Sequence, residues 1–248
     1  MRVGWGELGS RVWWYPMQRS PYTAVLLQCV NIPVDHPDAG SPLLRAVTQA
    51  FVSMGAVVSV EQTGENLVRT VESGGGEPSV IVQAQGLPNL IHELVHALHA
   101  GRLADDHGID YTGIPFDLTT PSGRELLWEE LSCSLVSCAY LSAELARRGV
   151  GAPDRDLRVD AWFAEQVEIQ PVFYGMEDHP PGFFARVGSL LSEHEAEVCA
   201  VVQRATTKMR SALEAEGAPA HVAQAEVQGL SEIWERVLGQ WARPPGSA

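Results

Sequence analysis

The rhythm of hydrophobic positions changes partway along this chain. Up to Gln85 the apolar residues come in short runs of strand length, whereas from Gly123 onward they recur at helical spacing. Thr23–Val30, TAVLLQCV, is a continuous apolar run and predicts a buried strand. Ala56–Gln62 and Ser79–Gln85 predict two more, and Val68–Val71 a short one between them. A helix is expected over Pro42–Met54, with Ser41 as its cap, Pro42 in the first turn and Gly55 as its stop. Further helices are predicted over Gly123–Arg148, Leu157–Gln170 (closed by Pro171), Gly182–Glu216 and Ala220–Trp241. Strands segregated from helices in this way define an α+β chain: a small N-terminal mixed sheet, then a mainly helical half.

Between the two regimes lies Asn89–Leu98, NLIHELVHAL, which contains His92-Glu93-Leu94-Val95-His96. Leu90, Ile91, Leu94, Val95 and Leu98 form the apolar stripe of a helix that starts at Pro88-Asn89 and stops at Gly101. Residues four apart on a helix lie one above the other, so His92 and His96 can aim imidazole nitrogens at one ion. Glu93 sits beside them, able to take a proton from water. This HExxH arrangement suits Zn2+, which accepts nitrogen and oxygen ligands and keeps one position open in catalytic sites.

Composition narrows the function. The chain has 248 residues, and 17 basic against 31 acidic side chains give a net charge of −14. An acidic surface without a basic stripe repels phosphate backbones, which excludes nucleic-acid binding. No apolar run is long enough to span a membrane, and the first residues, MRVGWGELGSRVWWYPMQRS, lack the apolar core of a secretory signal. A cytoplasmic protein is the expectation. Cys29, Cys133, Cys138 and Cys199 contain no CxxC pair and read as buried thiols. The Ser73-Gly74-Gly75-Gly76 run lacks the features of a phosphate loop and reads as a turn, and the aromatics Trp5, Trp13, Trp14, Tyr15 and Tyr22 read as a packing arm.

A catalytic metal generally needs a third protein ligand. His99 shares the histidine face but lies two turns beyond His92, so it reads as support or packing. The helix over Gly123–Arg148 offers Glu125, Glu129 and Glu130. One and two turns beyond Glu130 stand Cys133, Ser134, Ser137 and Cys138, all small, which would let this face approach the histidine helix closely. Glu130 is preferred on that ground. Glu129, whose corresponding face is Ser132, Cys133, Val136 and Ser137, is the alternative, and the other glutamate reads as a surface charge.

With its HExxH string, the strand before it and a glutamate helix after it, the chain resembles the gluzincin class of zinc metallohydrolases over about a quarter of its length. The chain is expected to comprise a zincin-like metal-binding region over 1–150, with a helical region over 151–248 completing the same domain or forming a small subdomain. The resemblance implies His92, His96 and Glu130 as zinc ligands and Glu93 as general base. It also implies a sheet-edge strand that holds an extended substrate, here Ser79–Gln85. Gluzincins often carry an acidic residue one turn after the ligand glutamate, where this chain has cysteine or serine.

The loop Ala104–Pro115 is dense in Asp, His and Tyr, and His107 and Tyr111 are its candidates for a second acid or an oxyanion donor. His36 and His194 read as solvated, and Tyr174 as packing. The function expected is hydrolysis of an amide or peptide bond. A zinc enzyme acting on a biosynthetic small molecule, by elimination, cyclisation or hydrolysis, is the alternative; a non-catalytic binding protein of the same frame is a third, against which Glu93 counts. The partner in either enzymatic case is a small-molecule or peptide substrate.

Overall fold

The computed structural model describes residues 30–61, 66–71, 79–103 and 116–239. The aromatic arm, Cys29, the glycine run, His107 and Tyr111 lie outside these residues, as does all of the first predicted strand except Val30.

The described sheet has four strands: β1 (Val30–Asn31), β2 (Ala56–Val60), β3 (Leu67–Val71) and β4 (Ser79–Ala84), in the order β1-β2-β4-β3. β1, β2 and β4 run parallel, and β3 pairs antiparallel with β4. The pleat explains the register. Val58 and Val60 point inward opposite Val82 and Ala84, and Val68 faces Val82 from the other side. The sheet is therefore mixed, as the alternation anticipates. One expectation fails. Ser79–Gln85 is not an edge strand, because β2 pairs with one side of β4 and β3 with the other; β3 ends the strand order.

Helix α1 (Pro42–Ser53) makes the crossover from β1 to β2 that parallel strands require. Ser41 Oγ accepts from the Leu44 amide at 3.2 Å, and Gly55, at φ 94°, turns the chain into β2. Helix α2 (Leu87–Ala100) follows β4 directly and carries the histidines. Its Leu90, Ile91, Leu94 and Val95 are fully buried, in one core with Leu44, Val47 and Phe51 of α1 and Val58 and Val82 of the sheet.

Helix α3 (Pro121–Arg147) is buried on every side from Leu131 to Tyr140. Cys133, Val136, Ala139 and Tyr140 enter the core beneath the sheet, while Leu131, Leu135 and Cys138 enter a second, all-helical core. That second core is filled by α4 (Ala152–Glu168), α6 (Pro180–Glu193) and α9 (Leu230–Leu238), through Phe163, Phe183, Val187, Ile233 and Trp234. The short helices α5 (Gln170–Phe173) and α8 (Ala220–Ala223) connect the longer ones.

Two long predicted helices are interrupted. Gly182–Glu216 divides at His194, whose φ of −122° breaks the helix between α6 and α7 (Glu195–Ala215). Phe183 to Leu191 of α6 and Val198 and Val201 of α7 face the helical core, whereas Ala205, Met209 and Leu213 farther along α7 face the core under the sheet. Ala220–Trp241 resolves into α8 and α9, separated by a non-helical segment over 224–229. Leu157–Gln170 begins five residues early, at Ala152, with Pro153 in its first turn, and Pro171 falls inside α5. Among the described residues, no helix is long and apolar enough to cross a membrane.

Candidate metal centre

Both ends of α2 are held by residues distant in sequence. Gly86, the N-cap, supplies no side chain. Instead the Leu87 amide donates to Asp38 Oδ2 at 3.1 Å, satisfying one of the orphan donors of the first turn. The Arg148 guanidinium binds Asp38 Oδ1 at 2.6 Å and the buried Glu144 at 2.8 Å, which ties the start of α2 to the end of α3. His36 completes the latch. Its Nδ1 accepts the Asp38 amide at 3.1 Å, so its Nε2 carries the proton and donates to the Gln85 carbonyl at 3.2 Å. His36 is thus buried rather than solvated. At the other end Gly101 adopts φ 68°, and Lys208 Nζ donates to the carbonyls of Leu98 (2.6 Å) and His99 (3.3 Å).

So fixed, α2 lies against α3 where α3 is smallest. Cys133, Ser134 and Ser137 are wholly buried. The serine hydroxyls donate back along their own helix, Ser134 to the Glu130 carbonyl and Ser137 to the Cys133 carbonyl, so close packing strands no hydroxyl. This approach brings His92, His96 and Glu130 together. The two Nε2 atoms are 3.0 Å apart; Glu130 Oε1 is 3.2 Å from His92 Nε2, and its Oε2 is 3.2 Å from His96 Nε2. Ligands bound tetrahedrally at the usual zinc–nitrogen and zinc–oxygen lengths of about 2.0–2.2 Å stand roughly 3.3 Å apart. The two histidine nitrogens stand near that spacing, the carboxylate turns one oxygen toward each of them, and one ligand atom from each residue lies within 4.8 Å of the others; two imidazoles with one carboxylate are a donor set for a divalent ion. These residues could hold a metal ion.

Electrostatics binds the trio as well. Burial alone would raise the Glu130 pKa, but His92 and His96 reverse this and hold the carboxyl well below the usual range. Burial opposes charge on His96, yet Cys133, Glu130 and Glu129 together lift it well above the ordinary 6.5. Burial pushes the Cys133 thiol up to about 11, with His96 pulling against that shift and the two glutamates adding to it.

The remaining candidates fall around this trio. Glu93 is half-buried on α2 and is not a member of the cluster. His99 is not a member either. Ser132 Oγ donates to the Glu129 carbonyl at 2.7 Å, so at 3.1 Å from His99 Nε2 it acts as acceptor. Burial lowers the His99 pKa, with His96, Lys208 and Arg204 adding to the effect against Glu129. Glu125 is exposed. Glu129 is no mere surface charge: its Oε1 lies 3.5 Å from His96 Nδ1. Tyr174 donates to the Gly123 carbonyl at 3.0 Å; burial pushes its hydroxyl pKa up, and Glu130 is near enough to add to the shift. His194 pairs with Glu197 at the break before α7. Asp38, Arg148 and Lys208 escape sequence reasoning altogether, since nothing local marks them as partners of α2. No family model matches the chain, and no curated protein or solved structure does.

Proposed function

We propose that this protein is a zinc-dependent hydrolase of gluzincin type that cleaves an amide or peptide bond. One observation carries the reading: His92, His96 and Glu130, from two helices, bring one ligand atom each to within 4.8 Å of the others, a group that could hold a metal ion. Zinc held by these three residues would supply a Lewis acid for the carbonyl and acidify water at its open position. The rest is the work of the chain. Glu93 points about 100° and 60° away from the two histidines around the helix, so it does not compete for their ion. It takes the proton of the attacking water and passes it to the leaving nitrogen. Close packing of α2 on α3, together with the latches at both ends of α2, holds the ligand set in position.

A second reading, a zinc enzyme acting on a compact biosynthetic molecule, gains support from the sheet. An extended peptide has no place along β4, whose two edges are taken by β2 and β3. Either reading uses the same residues. Protein purified without chelator is expected to hold about one zinc per chain, bound at the open kind of site that His2Glu ligands make. Glu93→Gln should keep that metal and lose about 10²–10⁴-fold in turnover on amide and peptide reporters or on a panel of small esters and amides. Absence of bound transition metal, or full activity in Glu93→Gln, overturns the proposal.

A further inference from the structure

The two histidines of the cluster are supported unequally. His92 is 6% exposed, and its Nδ1 is buried with no hydrogen-bond partner; on that side packing alone holds the ring, while its Nε2 meets Glu130 and His96. His96 is more open, its side chain 31% exposed, and so less constrained by packing. Its outer nitrogen does have a partner: Glu129 Oε1 lies 3.5 Å from Nδ1, on the side of the ring away from Glu130 and His92. Consecutive residues of α3 thus address opposite nitrogens of one imidazole, Glu130 at Nε2 and Glu129 at Nδ1. Glu129 is itself held in a polar setting, beside His99 and above Ser132, which bonds to its carbonyl.

An imidazole can bind a metal through Nε2 only when that nitrogen offers its lone pair, which places the remaining proton on Nδ1. A carboxylate at Nδ1 favours this tautomer, fixes the ring plane and strengthens the donor. We infer that Glu129 is the positioning residue for His96, selecting its Nε2-ligating form. This inference rests on the metal-site reading above. It gives the Glu129-Glu130 pair two distinct tasks, one residue binding the ion and its neighbour orienting a second ligand.

The test is cobalt(II) titration of the metal-stripped protein at one fixed pH, read both by competition with a chelating indicator and by the visible d–d spectrum. Glu129→Ala is expected to weaken cobalt affinity by about 10–100-fold and to alter the band shape, the range found when such an outer partner is lost. Glu129→Gln, which still offers an oxygen to Nδ1, should recover most of the affinity and the parental spectrum. Glu125→Ala, exposed on the same helix, should match the parent. Thermal unfolding of the metal-free variants checks that they fold. Parental affinity and spectrum in folded Glu129→Ala would overturn the inference while leaving the metal site standing. If the parent binds no cobalt, the metal reading itself fails, and the inference with it.

Discussion

Metal uptake by this protein should release the proton held on His96, and the cluster dictates how that release depends on pH. In the metal-free protein His96 is held protonated well above 6.5, against burial, by its acidic neighbours. Glu130 is already ionised, held below the usual range by the histidines despite burial, and gives up nothing. The Cys133 thiol, pushed to about 11, stays protonated and outside the cluster. An ion taking the lone pair of His96 must therefore expel that one proton. Below the raised His96 pKa, apparent affinity should climb with pH, because the His96 proton competes with the ion. Stability of the metal-free protein should move the other way. The raised His96 contributes stability that is complete below 6.5 and fades as pH rises through its folded value. The depressed Glu130 contributes stability present above 4.5 that is lost as pH falls through its folded value. The cluster thus stabilises the empty fold most between those two reference values, and alkaline conditions exchange that contribution for metal affinity. Calorimetric titration of zinc at pH 6.5, repeated in buffers of different ionisation enthalpy, counts the protons directly. A count near zero, or affinity that is flat with pH, would refute this account of the cluster.

Two predictions concern the scaffold. Asp38→Ala removes both the cap on Leu87 and the partly buried pair with Arg148, a loss of about 1–2 kcal/mol and roughly 2–8 °C in Tm for a chain of this size, readable by thermal unfolding. A change under 1 °C would show that the latch does not hold α2. Gly123→Ala places a methyl group against the Asp117 carbonyl at the first turn of α3, and overpacking there should cost about 1–3 kcal/mol in urea unfolding; an unchanged midpoint would mean that this turn yields freely.

What the sequence made legible is whatever its local pattern encodes. Alternating valines announced β2 and β4, and Ser41-Pro42 and Gly101 marked helix ends that the structure keeps to within a residue or so. The grouping of His92, His96 and Glu130, which could hold a metal ion, was legible for the same reason, since i, i+4 histidines and a glutamate above a small-residue face are statements about single helices. Pairing order is different. Nothing in Ser79–Gln85 itself says that β3 will fold back beside it, so the strand nearest the histidines reads as an edge when it lies inside the sheet. One helix break was also hidden: the apolar spacing through 182–216 is helical throughout, yet the helix divides at His194.

Helix α3 shows why local reading succeeds at the site and stops short of what supports it. Every position from Leu131 to Tyr140 is buried, so no polar stripe tells which face meets which neighbour. Only residue size separates the faces: Cys133, Ser134 and Ser137 admit α2, whereas Leu131 and Leu135 fill the helical core. Size favours Glu130 over Glu129 as the ligand, because Glu130 stands one turn before Cys133 and Ser134. It is silent on Glu129, whose role comes from the direction in which His96 turns its second nitrogen. It is equally silent on Arg148, beyond the other end of α3, which reaches across to Asp38 and thereby fixes the start of α2. One helix therefore supplies the carboxylate of the cluster and, through Arg148, anchors the helix that carries the histidines. Disturbing its register by a single residue would move Glu130 and Arg148 together, and the metal-binding geometry should fail along with the latch.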